Sequence, residues 1–193
     1  MAKRSSPVTV VEENKKLRLA ELYTTTLRSE LQKKLNLKNI MEVPRLEKIV
    51  LNIGVKEAVT DSKALQATCD VLAAIAGQLP VKTLARKSIA GFKIRAGMKI
   101  GTCVTLRREN MYAFLDKLIN VSLPKVRDFQ GVTTRLDGRG NYNMGIKEWT
   151  IFPETEAVAG ERMYGLNISF HTSTNVDAHA FELLKSFGIP FRK

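Results

Sequence analysis

Residues 71–108 contain no aspartate and no glutamate, although the same stretch contains eight basic side chains. Residues 1–70 have a charge of +4 and residues 109–193 a charge of zero, so this one stretch carries +8 of the net +12. Surfaces that serve only solubility mix both signs. A localised positive field therefore predicts a polyanionic partner, with nucleic acid first among the candidates. The eight side chains are Lys82, Arg86, Lys87, Lys93, Arg95, Lys99, Arg107 and Arg108.

The chain also lacks the residue patterns of metal, disulfide and membrane proteins. Cys69 and Cys103 have no CxxC pattern and no nearby histidine, and His171 and His179 do not have the HExxH spacing. We expect no metal and no cofactor, and we expect both cysteines to be small buried hydrophobes. No apolar run approaches the roughly 20 residues of a membrane span, and no apolar core of a signal peptide is present. Neither membrane insertion nor secretion is expected.

No catalytic motif is present. Glu148 is close in sequence to Glu154 and Glu156, but no nucleophile, oxyanion donors or metal ligands accompany these carboxylates. The glycine-rich segment 138–145 matches neither GxGxxG nor GxxxxGK[ST]. A turn is therefore favoured over a phosphate-binding loop, although Arg139 could still contact an anion. We expect a protein that is not an enzyme, and an enzyme acting on RNA is the alternative.

The length and composition favour a single folded domain. The chain has 193 residues, of which 44% are hydrophobic, enough to bury a core. Residues 1–19 are expected to be an N-terminal arm, extended or mobile, that can order against a partner, and residues 20–193 to be the domain. A stripe at Tyr23, Leu27, Leu31 and Leu35 predicts a first helix that ends near residues 36–39.

Strands and helices alternate irregularly along the rest of the chain, which suits a sheet covered by helices on one face only. Asp61 or Ser62 can cap the second helix and Asp177 the last one, whereas Gly77 and Gly188 end these two helices. Pro124 stops the third helix. Strands are predicted over 46–55, 100–106, 146–152 and 166–172, and helices over 62–76, 109–121 and 178–187.

The free face of this sheet is predicted to be polar. In the first strand Lys48, Val50 and Asn52 point away from the apolar side, and Thr105 does so in a later strand. Between these two strands the basic residues follow no helical period, and glycines interrupt them, which favours strand, long loop and strand over a membrane-binding helix. Phe92 in this loop either stacks on a base or anchors the loop, and both interpretations stay open.

Six segments resemble the bacterial large-subunit ribosomal protein five family, the universal 5S-rRNA-binding proteins. The similarity is collinear over about residues 20–193, and several motifs together are far more specific than any one of them. The segments are VPRLEKIVLNIG (43–54), ARKSIAGFKIR (85–95), LPKVRDFQG (123–131), DGRGNY (137–142), IFPE (151–154) and FGIPFRK (187–193).

The resemblance implies an α+β fold, one domain with a mainly antiparallel sheet, helices packed on one face and a long basic loop. It also implies a cytoplasmic, ribosomal location in the central protuberance of the large subunit. The implied partners are 5S rRNA, the large-subunit rRNA, the P-site tRNA, a small-subunit head protein across an intersubunit bridge, and other central-protuberance proteins.

The resemblance also assigns residues by motif position. The implied 5S rRNA contacts are Asn52, Gln78 and Thr105, and Lys48 joins them because it lies on the same strand face as Asn52. The loop over residues 82–99 is implied to face tRNA and rRNA phosphates. Its implied phosphate contacts are Lys82, Arg86, Lys87, Lys93, Arg95 and Lys99.

Two positions depart from the family pattern. Leu79 replaces a basic residue that usually follows the GlyGln pair, which weakens one expected RNA contact, and Leu136 replaces a phenylalanine before AspGlyArgGly. The arm over residues 1–19 exceeds the common bacterial length, so the resemblance assigns it no role; contact with further rRNA and disorder are both open for it.

Overall fold

The computed structural model describes residues 18–155 and 163–192. Residues 1–17, most of the expected arm, lie outside the described residues, whereas Arg18 and Leu19 already belong to the first helix. The described chain is an α+β domain with one five-stranded antiparallel sheet. Its strands are β1 (Leu46–Gly54), β2 (Val81–Leu84), β3 (Lys99–Leu106), β4 (Tyr142–Ile146) and β5 (Leu166–Thr172).

β1 occupies the centre of the sheet, in the strand order β2-β3-β1-β5-β4. Its Val50 lies opposite Thr105 of β3 on one side and opposite Ser169 of β5 on the other. Alternate residues of β1 are buried, and Ile49, Leu51 and Ile53 are each 0% exposed. Because successive side chains point to opposite faces, the sheet has one apolar face and one more exposed face, as predicted.

Helices cover the apolar face. They are α1 (Arg18–Leu22) and α2 (Arg28–Lys34), joined by a π-helical turn, then α3 (Ser62–Ala76), α4 (Arg108–Lys117) and α5 (Asp177–Ser186). α3 packs on β3 and α4 on β1. The predicted stripe of the first helix is largely confirmed, since Tyr23, Leu27 and Leu31 are buried and Leu35 is half-buried. Its period of four residues exceeds the 3.6 of an α-helix, and the wider π turn occurs within it.

The boundaries of α3 agree with the sequence prediction. Asp61 is the N-cap, and its carboxylate accepts a hydrogen bond of 2.9 Å from the Lys63 N–H. Gly77 ends the helix with φ +64°, the left-handed conformation for which glycine is favoured. α4 continues through a π-helical turn, Leu118–Ser122, and Pro124 lies in the short 3₁₀ segment that follows. No helix in the described ranges is long and apolar enough to cross a membrane.

The predicted strand over 146–152 is wrong. β4 instead comprises Tyr142–Ile146, of which residues 142–145 lie in the segment predicted to be a glycine-rich turn, and Trp149–Ile151 forms a 3₁₀ helix. Asn143 and Gly145 resemble turn residues, but they alternate with the buried Tyr142 and Ile146, which pair with Phe170 and Leu166 of β5. Tertiary pairing with β5 therefore overrides the local turn preference.

The predicted cap of the last helix is also wrong. Val176 is the N-cap of α5, with no side-chain cap bond, and Asp177 is its first residue. The Asp177 carboxylate instead accepts hydrogen bonds from the backbone N–H groups of Gly138, at 3.0 Å, and Gly140, at 2.7 Å. This contact attaches the turn before β4 to the start of α5.

Substitutions at the two glycines of this turn should separate steric overlap from backbone strain. Both have positive φ, +75° at Gly140 and +82° at Gly138, so alanine costs about 1 to 2 kcal/mol of strain at either position. A Cβ at Gly140 would also overlap the Thr174 carbonyl oxygen, which adds about 1 to 3 kcal/mol. Gly140→Ala should therefore lower the unfolding free energy in urea more than Gly138→Ala, and equal losses would contradict the close approach.

Candidate nucleic-acid interface

The uncovered side of the sheet, called the open face here, presents one set of side chains from all five strands. Strand register and alternating burial place these residues on it. None of them is acidic, and most can donate or accept hydrogen bonds without carrying a charge. They are Lys48, Val50 and Asn52 of β1, Val81 and Thr83 of β2, Cys103 and Thr105 of β3, Asn143 and Gly145 of β4, and Asn167, Ser169 and His171 of β5.

Asn52 and Thr105 both lie on the open face, on adjacent strands. Asn52 is exposed and pairs in register with Cys103, while Thr105 is half-buried and pairs with Val50. Gln78 is exposed and follows Gly77 at the end of α3, just before β2. The side chains of Asn52, Thr105 and Gln78 form no hydrogen bond within the described residues. Their hydrogen-bonding capacity is therefore available to a ligand.

The long basic loop is an ordered hairpin rather than an open coil. Residues 85–98, called the basic hairpin here, connect β2 to β3. Ile89 and Ile94 exchange two backbone hydrogen bonds, of 2.9 and 3.2 Å, across the hairpin. The Ser88 hydroxyl accepts a bond of 2.9 Å from the Ala96 N–H. These contacts give the hairpin a defined shape in the absence of a partner.

The six predicted phosphate contacts divide between this hairpin and the strands at its base. Lys82 lies in β2 opposite Thr102 and so faces the helix-covered side. Its ammonium group donates to the Gln66 side chain of α3 at 2.5 Å. Lys99 is exposed at the first position of β3. The hairpin itself carries the other four, all exposed: Arg86, Lys87, Lys93 and Arg95.

Phe92 lies in a 3₁₀ turn, Ala90–Phe92, in the middle of the hairpin, and its side chain is 70% exposed. The ring is therefore not packed into the protein as an anchor, and the backbone pairing of Ile89 with Ile94 holds the hairpin in shape. Lys93, the next residue, has φ +54°, a left-handed conformation that is uncommon for lysine. An exposed aromatic ring and an exposed cation are thus adjacent in the sequence.

His171 and Lys48 are neighbours on the open face, paired in register between β1 and β5. Burial lowers the pKa of His171, and the nearby positive charge of Lys48 lowers it further, whereas Asp137 and Glu47 act in the opposite direction. The imidazole is therefore mostly neutral at physiological pH, where it can both donate and accept a hydrogen bond.

The glycine-rich turn directs its backbone N–H groups toward the protein's own carboxylates. Gly138 and Gly140 donate to Asp177, while Arg139 and Asn141 donate to Asp137 Oδ1 at 2.8 and 3.0 Å. The Asn141 side chain binds the same carboxyl group and, with the backbone donors, lowers the pKa of Asp137. These four N–H groups are already paired, so the geometry supports the structural turn.

The two cysteines differ in their surroundings. Cys69 is buried in α3, as predicted, whereas Cys103 is half-buried and faces the open side of β3. The prediction of a buried hydrophobe is therefore wrong for Cys103, because strand alternation places its side chain on the uncovered face. Burial raises the pKa of the Cys103 thiol. The described ranges contain no group of three or more potential metal ligands.

Sequence reasoning missed the half of the open face that belongs to β4 and β5. Asn167, Ser169 and His171 alternate with buried residues along β5, a period of two that was visible in the sequence. Asn143 and Gly145 were not recognised as strand residues, because the composition of their segment is typical of a turn. The strand order places β5 next to β1 and β4 next to β5, and no local pattern gives that order.

A polar sheet face that carries little formal charge, beside an ordered basic hairpin, suits a protein that binds RNA. Two family models match adjoining parts of the chain. The model described as "Ribosomal protein L5" matches residues 39–95, and the model for the C-terminus of the same ribosomal protein family matches residues 99–191.

Three bacterial relatives, each named "Large ribosomal subunit protein uL5", show the same similarity over nearly their whole length. The protein of Leptospira biflexa is 52% identical over 91% of this chain and 96% of its own. The proteins of Citrifermentans bemidjiense and Brevibacillus brevis are 54% and 53% identical, over 91% of this chain and 98% of theirs. The chain belongs to the ribosomal protein L5 family. It is a cytoplasmic structural constituent of the large ribosomal subunit, acts in translation and is not an enzyme.

The environment of His171 leads to a test by NMR titration. The pKa of His171 should lie below its ordinary value of 6.5, and Lys48→Met should raise it only in part, because burial, the larger cause, remains. The folded protein binds this proton less readily than the unfolded chain. Protonation of His171 should therefore reduce stability as the pH falls through and below 6.5.

The His171 resonance is assigned by its disappearance in His171→Asn. An unchanged titration in Lys48→Met would contradict the proximity of the ammonium group and the imidazole.

Proposed function

We propose that the open face binds 5S rRNA in the central protuberance and helps to attach it to the large-subunit rRNA. We also propose that the basic hairpin contacts the P-site tRNA. The protein further contacts other central-protuberance proteins and, across an intersubunit bridge, a small-subunit head protein. The observation that carries the proposal is the juxtaposition of unpaired polar side chains on the open face with exposed cations on an ordered hairpin.

The composition of the open face favours recognition of RNA shape. The described residues that form it include no phenylalanine, tyrosine or tryptophan on which bases could stack, and Lys48 is the one formal cation among those named above. Amides and hydroxyls such as those of Asn52 and Thr105 can bind ribose 2′-hydroxyls and phosphate oxygens. This chemistry suits a structured RNA whose bases remain stacked.

The basic hairpin supplies the positive charge that the open face largely lacks. Arg86, Lys87, Lys93 and Arg95 are exposed, and the acid-free stretch leaves no carboxylate nearby in sequence to compete with phosphate. Because backbone bonds already order residues 85–98, contact with tRNA would cost little additional conformational entropy. The exposed Phe92 adds a ring that could stack on an unpaired base.

The proposal is tested by the affinity of the full-length chain for 5S rRNA as a function of salt, with an unrelated duplex RNA of equal length as the control. We expect tight, selective binding whose log K falls with log salt by about one unit per neutralised phosphate. Equal affinity for both RNAs would contradict it.

Removing a polar group from the open face should weaken 5S rRNA binding. Asn52→Ala and Thr105→Ala should each cost roughly 1 to 3 kcal/mol, because a partner in the RNA loses its hydrogen bond. Asn110→Ala, which removes an exposed amide from the first turn of α4, is the matched control and should leave affinity unchanged. Unchanged affinity in both open-face variants would exclude this surface.

Neutralising the hairpin should separate the two RNA contacts. The quadruple alanine variant at Arg86, Lys87, Lys93 and Arg95 should retain 5S rRNA binding but weaken tRNA retention in assembled ribosomes. The control removes four charges on or beside the helices, at Lys33, Lys38, Lys63 and Lys185, and should leave tRNA retention unchanged. Loss of 5S rRNA binding in the hairpin variant would mean that the hairpin contacts that RNA instead.

A further inference from the structure

The half of the open face formed by β4 and β5 also presents side chains with unused hydrogen-bonding capacity. Asn143 and Asn167 are exposed and Ser169 is half-buried, and none of these side chains forms a hydrogen bond within the described residues. By contrast, the Asn120 and Asn141 side chains, which lie off this face, are bonded to carboxylates. The open face thus leaves polar groups free across its width.

These groups are continuous with the part of the face already assigned to RNA. Asn167 lies directly opposite Asn52 in the β1–β5 register, and Ser169 lies opposite Val50. Gly145 lies opposite Asn167 in turn, and a Cβ at Gly145 would be 3.5 Å from Asn167 Oδ1. A glycine within an edge strand leaves space for close approach by another molecule.

Residues 109–193 have no net charge, yet none of the open-face residues named above from their described part is acidic, although Asp137 is close enough to act on His171. Many of their acidic groups are paired elsewhere. Asp116, Glu154 and Glu182 form ion pairs with Arg18, Lys117 and Lys34, and Asp137 and Asp177 bind the glycine-rich turn. These pairings occupy several carboxylates that would otherwise be free to repel phosphate.

We propose that Asn167, Ser169 and Asn143 bind the same RNA as Asn52 and Thr105, through its ribose 2′-hydroxyls and phosphate oxygens. This inference rests on the proposed function and extends the 5S rRNA site from β1 and β3 to the far edge of the sheet. At a strand spacing of about 4.8 Å, the four strands from β3 to β4 span roughly 14 Å. The RNA then lies across these four strands.

The test compares the affinities of full-length variants for intact 5S rRNA and the riboses that each variant protects from hydroxyl radicals. Asn167→Ala should weaken binding about tenfold, the equivalent of one lost hydrogen bond to a polar or charged partner. Asn167→Asp should weaken it more, because a carboxylate cannot donate a hydrogen bond and repels phosphate. Asn110→Ala is again the control, and circular dichroism confirms that each variant is folded.

The footprint distinguishes the inference from the function on which it rests. Asn167→Ala should expose a set of riboses that differs from the set exposed by Asn52→Ala. If Asn52→Ala weakens binding and Asn167→Ala changes neither affinity nor footprint, the extension to β5 is wrong and the proposed function survives. If the unmodified chain does not select 5S rRNA over the control duplex, both are wrong.

Discussion

The rest of the structure depends on one constraint. Side chains alternate between the two faces of the sheet, and helices cover only one of those faces. Ile49, Leu51 and Ile53 are directed into the core by helices that pack on their side, and the same geometry directs Asn52 to the opposite side. Shifting a strand by one residue would bury its polar set and expose its apolar set. The stability of the core and the composition of the open face are therefore set together.

The acid-free stretch has two structural roles within this arrangement. It begins in the last turns of α3, includes both β2 and β3, and its Lys82 side chain contacts α3. Its middle forms an ordered hairpin whose cations lie away from the core. The absence of carboxylates leaves the exposed part attractive to phosphate throughout its length. The glycine-rich turn uses its own aspartates differently, because Asp137 and Asp177 bind its N–H groups and fix the approach to β4.

Sequence patterns correctly predicted the elements that depend on neighbouring residues alone, such as a strand's alternation or a helix cap. The period of two in β1, the Asp61 cap and the Gly77 terminus were all visible in the sequence, and the structure agrees with them. β4 was not predictable in this way, because Asn143 and Gly145 favour turns and only pairing with β5 makes a strand of them. The role of Asp177 was not predictable either, because its hydrogen-bond partners lie 39 and 37 residues away in the chain. The clustering of basic residues and glycines indicated a long loop between two strands, whereas the strand order that joins β5 to β1 required the structure.

The orientation of the sheet on RNA is tested most directly by a map of the assembled ribosome that contains this chain. The account predicts 5S rRNA against the open face, in contact with Asn52 and Thr105, while the basic hairpin extends from it toward the P-site tRNA. A map in which the helix-covered side faces 5S rRNA and the open face contacts no RNA would contradict it.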